Sequence, residues 1–424
     1  MSQERVLLRS VQAEGFSFFK FLLKYQHMFQ VGSGKWEVGG GSGGGSGSGG
    51  GSGARRGCLT LPHGVVETPV FMPIATKGAV KTLSSLDMEK LGAQILLSNT
   101  YHLLLRPGLE GMKKHGGLHK LMNWNKPILT DSGGYQVFSL SKLNKTTEEG
   151  VTFQSHIDGA KINLTPELSM EMQTVIGSDI IMQFDDVAAG GADYERHEAA
   201  MERSLRWAKR CKEKLSITPR LNHSRRRWAM AGTATTSQLF GIIQGGIFND
   251  LRERSLTGLV EIGFDGYAIG GLSVGEPREE AYRVVDSLAP KMPADKPRYF
   301  MGGGMPEEIV HYVRAGVDMF DCVLPTRNAR HGTLFVWNSD PKNWDPINVD
   351  EDPNFYSQIH ITNEKFAFDE SPIDPFCDCE TCQTTSRAYL RHLFQVQEIL
   401  ALRLATIHNV RFYVRMMERI REIL

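Results

Sequence analysis

The chain has 424 residues, 41% of them hydrophobic and 23% charged, and its 48 Lys+Arg are balanced by 48 Asp+Glu. A chain of this length buries a large core, enough for one barrel of about 250 residues with additions or for two to three smaller domains. The neutral balance excludes a global pull toward nucleic acid, so any RNA site has to be a local basic patch. The absence of an apolar run of about 18 residues excludes a membrane-spanning helix.

Met1 to Val38 reads as a helix-prone extension with one strand in "MFQVGSGKWEV". Phe16 to Leu23 is apolar, but it follows Glu4 and Glu14 and lacks a small-residue cleavage site, so no secretory signal is expected. Gly39 to Gly53 contains only Gly and Ser, a composition that buries nothing and behaves as a coil, whether it is an engineered linker or a low-complexity insertion.

From Cys58 onward short apolar runs recur, each ending in small or polar residues: "VFMPIAT", "QILLSNTY", "PILTDSGG", "DIIMQFDDV", "LFGIIQGG", "GYAIGGLS", "RYFMGGG" and "MFDCVLPT". Such runs suit parallel strands buried on both faces. Helical segments lie between them. Thr165-Pro166-Glu167 supplies a cap, a first-turn proline and an acid, Pro306-Glu307-Glu308 does the same, and "EPREEAYRVVDSLA" follows the sixth run. Eight strands alternating with helices predict a (β/α)8 TIM barrel rather than an open doubly wound sheet, since no G-x-G-x-x-G turn follows the first strand. Two segments look inserted, the basic Ser216–Gln238 and the acidic, turn-rich Asn338–Gln358. The expected organisation is an extension over residues 1–38, a linker over 39–53, the barrel over 54–336, and a zinc-binding subdomain with terminal helices over 337–424.

The strand ends of a barrel of this kind would present Asp131, Asp185, Asp186, Gln244, the Gly270-Gly271 pair, Met301 and Asp321 on the C-terminal face, where active sites form. One aspartate there could simply cap a helix. Several converging carboxylates without a cation are costly, so a function is implied. "DSGG", "QGG", "IGG" and "MGGG" let backbone approach a flat polar heterocycle, and Tyr135 and Met301 would flank its faces. Some of these glycines equally suit tight turns.

Cys377-x-Cys379-x2-Cys382, followed by His408, is the strongest local signal: three thiolates and an imidazole make the closed shell of one structural zinc. The histidine is expected on a helix beginning near Ser386. Six cysteines in a chain this long, three of them crowded together, fit metal chemistry in a reducing, cytoplasmic setting better than a disulfide framework. Basic residues cluster at Arg327, Arg330 and His331, and again at Arg387, Arg391, Arg403, Arg411 and Arg415. The pairs four apart share helix faces and could form a phosphate-binding stripe, or a solvated face.

At these residues the sequence resembles the tRNA-guanine transglycosylase (queuine tRNA-ribosyltransferase) family. The likeness runs from about Ala54 to Leu424 and includes "SNTYHLLLRPG", "LTDSGGYQVFSL", "IIQGG", "AIGGLSVGE", "MFDCVLPTRNARHGTLF" and "SPIDPFCDCETC…TIHN". It implies a homodimeric pentosyltransferase with a zinc subdomain. Such an enzyme exchanges the wobble guanine of tRNAs with a GUN anticodon for a 7-deazaguanine, in queuosine biosynthesis. By the same resemblance Asp321 is the nucleophile and Asp131 handles base protons. Asp185 grips the base edge, and Gln244 with the Gly271 amide reads its carbonyl. Leu272 meets the 7-substituent, Glu276 supports from a buried position, and Tyr135 and Met301 stack on the base. Asn99, Arg327 and Arg330 are the implied contacts to sugar and tRNA. Val187 and Val274 mix two versions of the pocket, which favours 7-aminomethyl-7-deazaguanine as the incoming base. A queuine-using enzyme and a non-catalytic RNA-binding partner subunit are the alternatives.

Overall fold

The structure, a computed structural model, describes residues 37–39, 53–140, 144–217, 236–347 and 354–424. Eight short strands, each falling inside one of the eight apolar runs except that the fifth starts one residue earlier, form a single parallel sheet: β1 (Val70–Met72), β2 (Leu96–Ser98), β3 (Ile128–Thr130), β4 (Ile180–Met182), β5 (Gln238–Ile243), β6 (Gly266–Ile269), β7 (Arg298–Phe300) and β8 (Met319–Asp321). Every neighbour in the sheet is the next strand in sequence except at one place, where β8 pairs with β1. The ring closes just beyond β1, where Leu97 N donates to Pro73 O at 3.1 Å and Ala75 N to Leu97 O at 2.6 Å. The fold is therefore the expected (β/α)8 barrel.

Alternation along each strand sorts the side chains. Val70, Met72, Leu97, Leu129, Ile180, Met182, Phe240, Ile242, Tyr299 and Met319 fill the interior, whereas Phe71, Ile181, Leu239, Ile243, Phe300 and Phe320 pack outward under the helices. An antiparallel hairpin, Arg56–Leu61 with Gly64–Thr68, plugs the N-terminal end of the barrel by sending Leu59, Leu61 and Val66 into the same interior cluster. Each such side chain contributes about 1.5–3 kcal/mol when fully buried. The plug is stapled at its turn: Asp179 accepts from the backbone N–H of His63 and of Ile128, both at 2.9 Å, and from ring nitrogens of His63 and His119.

The cap signals hold. Thr165 caps the helix Pro166–Ile176, with its hydroxyl accepting from Leu168 N, and Pro306 opens the helix Pro306–Arg314. The strand expected near the N-terminus is Glu37–Gly39, paired antiparallel with Arg56–Leu61. The helix expected before it, the coil over 40–52 and most of the basic insertion (218–235) lie outside the described residues.

Three expectations change. The sequence reading missed a three-stranded antiparallel sheet, Asn144–Thr146, Val151–Gln154 and Lys161–Leu164, between β3 and β4. Its signal was present in the Asp158-Gly159 pair between two alternating runs. The second insertion is less polar than its composition implied. Trp344 and Phe355 are buried and stack at 4.4 Å beside Trp337 and Phe412, and Tyr356–His360 pairs with Thr333–Trp337. Finally, the tail is two helices, Arg387–Gln395 and Ile399–Ile423, separated at Gln397 with φ of 58°. No described helix is long and apolar enough to cross a membrane.

Candidate active site and metal centre

At the C-terminal mouth a cavity of about 810 Å³ is lined by residues from the ends of most of the strands. The sequence-predicted Asn99, Asp131, Tyr135, Asp185, Gly271, Leu272, Glu276, Met301, Asp321 and Arg327 all border it. Gln244 stands just behind the wall, hydrogen-bonded to Asp185. Arg330 is half-buried one helical turn beyond Arg327, with Nη1 donating to Thr326 O at 2.6 Å.

Asp321 ends β8 with 7% exposure. Its Oδ1 accepts from the Tyr299 hydroxyl at 2.5 Å and from Gly302 N at 2.9 Å. Burial pushes the carboxyl pKa up, and those two donors pull it back. Asp131, just past β3, accepts from Asn99 Nδ2, from Gln136 Nε2 at 2.8 Å and from Thr100 N at 2.9 Å. The last contact serves the first turn of the helix Thr100–Leu105, so part of the capping explanation is real. Burial still lifts Asp131 to about 6 against those donors, with the charge of Asp321 adding to the rise.

Asp185 lies three residues beyond β4 with one oxygen on the Ser132 hydroxyl at 2.8 Å and the other on Gln244 Nε2 at 2.7 Å. Burial raises it to about 6 as well. Gln244 in turn crowds Gly271: a Cβ there would sit 2.2 Å from Gln244 Oε1, and φ of +62° is in the left-handed region, so only glycine serves. Glu276 is half-buried rather than buried. It accepts from Ser273 N and, at 3.0 Å, from Val274 N, which fixes the loop carrying Val274 at the cavity wall.

Sequence reasoning missed three supports. Arg252, 1% exposed, donates to the carbonyls of Ile243 at 2.7 Å, Gly246 at 2.8 Å, Gly270 at 2.6 Å and Gly271 at 3.3 Å. One side chain thus ties the ends of β5 and β6 together, at the cost of a guanidinium pKa lowered to about 9 by burial. Tyr299 was hidden inside "RYF". Asp186, expected at the site, turns away from it: Arg196 holds it at 2.7 and 3.0 Å and Arg203 at 2.5 Å, which leaves Asp185 alone facing the cavity.

The second centre joins Cys377, Cys379, Cys382 and His408, all buried, with ligand atoms within 4.8 Å of one another. Cys379 caps the helix Glu380–Thr384, and Asp374 steadies the loop before Cys377 by accepting from Trp337 N and Phe376 N. His408 arrives from the second tail helix, Ile399–Ile423, and not from the one beginning near Ser386. Its Nε2 lies 2.6 Å from Phe335 O, so Nε2 carries the proton and Nδ1 faces the thiols. Four buried soft donors converging with the imidazole already oriented fit one tetrahedral metal ion. His63, His119 and Asp179 are also close enough together for a metal. There, however, both carboxylate oxygens are occupied by hydrogen bonds, and the group sits at the plugged end of the barrel.

The tail arginines all have partners within the chain. Arg387 pairs with Asp369, Arg403 with Asp87, Arg411 with Asp378 and Glu418, and Arg415 with Glu422, while Arg391 donates to Asn363 O. These pairings, several with exposed carboxylates such as Asp378 and Glu422, favour the solvated face over the phosphate stripe.

Comparison with known proteins points to one family. A family model described as queuine tRNA-ribosyltransferase matches residues 50–424. The queuine tRNA-ribosyltransferase of Acinetobacter baylyi is 55% identical over 371 residues, 88% of each chain. That of Acinetobacter baumannii is 54% identical over 371 residues, covering 88% of this chain and 90% of the relative. That of Psychrobacter cryohalolentis is 53% identical over 369 residues, 87% of this chain and 89% of the relative.

Proposed function

The chain belongs to the queuine tRNA-ribosyltransferase family, as its motifs predicted, and from that premise we propose that it exchanges the wobble guanine of GUN-anticodon tRNAs for a 7-deazaguanine through a covalent ester on Asp321. The observation that carries the reading is the convergence of Asp131, Asp185 and Asp321 on one cavity, two of them with pKa near 6 and all three raised by burial. A wall of this kind costs stability, and a merely RNA-binding subunit has no use for it.

Stacked in its loop, the glycosidic carbon is out of reach, so the target nucleotide is flipped into the cavity. Oδ1 of Asp321 is held by Tyr299 and Gly302, which leaves Oδ2 to attack C1′. The C1′–N9 bond breaks as the C1′–O ester forms, and the departing guanine takes its proton from the Asp131 carboxyl, which is left as the carboxylate. Asp131, titrating near neutrality, takes a proton from the incoming base, whose nitrogen then attacks C1′ and frees Asp321. Two inversions retain the sugar configuration. Asp185 accepts from the N1–H and N2–H edge, so adenine would leave its oxygens facing wrong groups. Gln244 and the Gly271 amide read the carbonyl. Leu272 lies along the 7-substituent, and Tyr135 and Met301 flank the ring. Asn99, its amide nitrogen engaged by Asp131, keeps its oxygen for a ribose hydroxyl. Arg327 and Arg330 face the neighbouring nucleotides.

Cys377, Cys379, Cys382 and His408 would hold one zinc per chain, with no open position for substrate, so the metal's contribution is to the fold. Val187 and Val274 both border the cavity, and their bulk favours the small aminomethyl base. The barrel over 54–336 is taken as the catalytic core and 337–424 as the zinc subdomain, in a cytoplasmic homodimer. The test is incorporation of radiolabelled guanine into a GUN-anticodon tRNA. Exchange that competes with deazaguanines supports the reading, and absence of exchange with a fully metallated protein rejects it.

A further inference from the structure

Arg252 places a buried cation against backbone carbonyls. It sits in the first turn of the helix Asn249–Ile262, where the helix dipole disfavours positive charge, and it is almost fully buried. Its Nη1 donates to Ile243 O at 2.7 Å and to Gly270 O at 2.6 Å, its Nε to Gly246 O at 2.8 Å and its Nη2 to Gly271 O at 3.3 Å. No carboxylate is among these partners. Burial lowers the guanidinium pKa to about 9, so the group stays charged at neutral pH. Tying two strand ends together needs hydrogen bonds but no charge, and neutral donors would do it without desolvating a cation.

The two carbonyls shared by Nη1 are the informative ones. A peptide carbonyl and the N–H of the next residue belong to one planar unit. Fixing Gly270 O therefore fixes the N–H of Gly271, and fixing Ile243 O fixes the N–H of Gln244, which donates to Ser255 Oγ at 3.1 Å. Gln244 and the Gly271 amide are the proposed readers of the base carbonyl. Gly270 and Gly271 line the cavity, and Gln244 stands behind its wall with Nε2 on Asp185 at 2.7 Å. One guanidinium nitrogen thus anchors both readers from behind. A hydrogen bond to a peptide carbonyl also polarises the unit and strengthens its N–H as a donor, by roughly 10–30% per bond. The charge of Arg252 adds to this, because charge-assisted hydrogen bonds are roughly twice as strong as neutral ones.

Resting on the proposed function, we propose that Arg252 is the positioning residue for the base carbonyl: from behind the wall it aims and polarises the donors that meet that oxygen, and so sets the preference for bases that carry it. Recognition of the N1–H and N2–H edge rests instead on Asp185, which the Ser132 hydroxyl holds at 2.8 Å independently of Arg252. Loss of Arg252 therefore falls on one side of the base.

The experiment measures equilibrium binding of guanine, hypoxanthine and 6-thioguanine to the full metallated chain, wild type against R252K and R252Q. Hypoxanthine keeps the carbonyl and lacks the 2-amino group. 6-Thioguanine keeps the edge and carries sulfur, a weak acceptor, in place of the carbonyl oxygen. R252Q retains a donor without the charge, and R252K retains the charge with fewer donors. R252Q should bind guanine and hypoxanthine roughly tenfold more weakly and 6-thioguanine within about twofold of wild type, with R252K intermediate. A loosened site would weaken all three bases alike, and that result in a folded variant overturns the proposal, as does unchanged guanine binding. Where the variants do not fold, judged by melting temperature and zinc content, NMR of wild type with isotope-labelled arginine decides. Guanine should shift a guanidinium signal protected from exchange, and 6-thioguanine should shift it less. Absence of any shifted protected signal overturns the proposal. Wild type that neither binds nor exchanges guanine instead overturns the function beneath it.

Discussion

The hydroxyl of Tyr299, fully buried inside the barrel, donates to Asp321 at 2.5 Å, two strands meeting at one carboxylate oxygen. Alternation puts Tyr299 inside and Phe300 outside on β7, so the phenol rises through the core toward the end of β8. The contact orients the carboxylate and lowers its pKa against burial. Tyr299→Phe removes one hydrogen bond to a charged group, worth about 1.5–3 kcal/mol. Turnover should fall roughly tenfold to a hundredfold with little change in KM for tRNA, and the acidic limb of the pH profile should move upward. A steady-state pH series checks this, and an unmoved limb would assign Tyr299 to packing alone.

Asp185 makes a prediction about stability. Its folded pKa, near 6, stands above the ordinary carboxyl value, so the native state binds the extra proton as pH falls. The cost of the ionised form is fully present above pH 6 and fades toward the unfolded value near pH 4, and at pH 8 it is on the order of 2–3 kcal/mol. Asp185→Asn should therefore melt higher than wild type at pH 8, with the gap narrowing below pH 6 and closing only below about pH 4, and should lose base exchange. Thermal denaturation across that pH range decides it. A gap that widens on acidification would mean that the sign is wrong.

The thiol cluster predicts coupled loss of metal and fold. Cys379 both faces the other ligands and caps the helix Glu380–Thr384, so Cys379→Ser keeps a capping oxygen while removing a soft donor. Metal analysis of wild type should give about one zinc per chain. The variant should be depleted and melt several degrees lower, whereas a wild type with less than about half a zinc would contradict a four-ligand site.

The legibility of this chain differs between its parts. Strands buried on both faces write themselves as apolar runs, and all eight were readable. So were the aspartates just past them, because position in a barrel follows from position in a run. Arg252, Tyr299 and the Arg196–Asp186–Arg203 clamp were not readable, because nothing local marks a side chain that serves a strand other than its own. The same limit left the tail open between two readings: Arg411 and Arg415 do share a helix face, and Asp378, Glu418 and Glu422 meet them there. Charge spacing says which residues are neighbours on a helix and nothing about what the helix packs against.

Val274 concerns the incoming base. Glu276 accepts from the Ser273 and Val274 amides, so the Val274 side chain is held at the cavity wall that Val187 also borders. Forcing an extra ring past a fixed branched side chain costs about 1–3 kcal/mol. Queuine should be used roughly tenfold to a hundredfold less well than the aminomethyl base, and Val274→Gly should narrow that gap mainly by improving queuine. Competition between the two bases on both proteins measures it. Equal use by wild type, or no gain with glycine, would remove Val274 as the gatekeeper.

The central claim is a covalent bond from Asp321 to the ribose of the target nucleotide. It is tested most directly by mixing the protein with a GUN-anticodon tRNA and a non-reactive base analogue, denaturing, digesting both polymers and locating the modified peptide by mass spectrometry. The account predicts a ribonucleotide adduct on the peptide carrying Asp321, absent from Asp321→Asn, which should still bind tRNA. An adduct on another residue, or one that persists in Asp321→Asn, would contradict it.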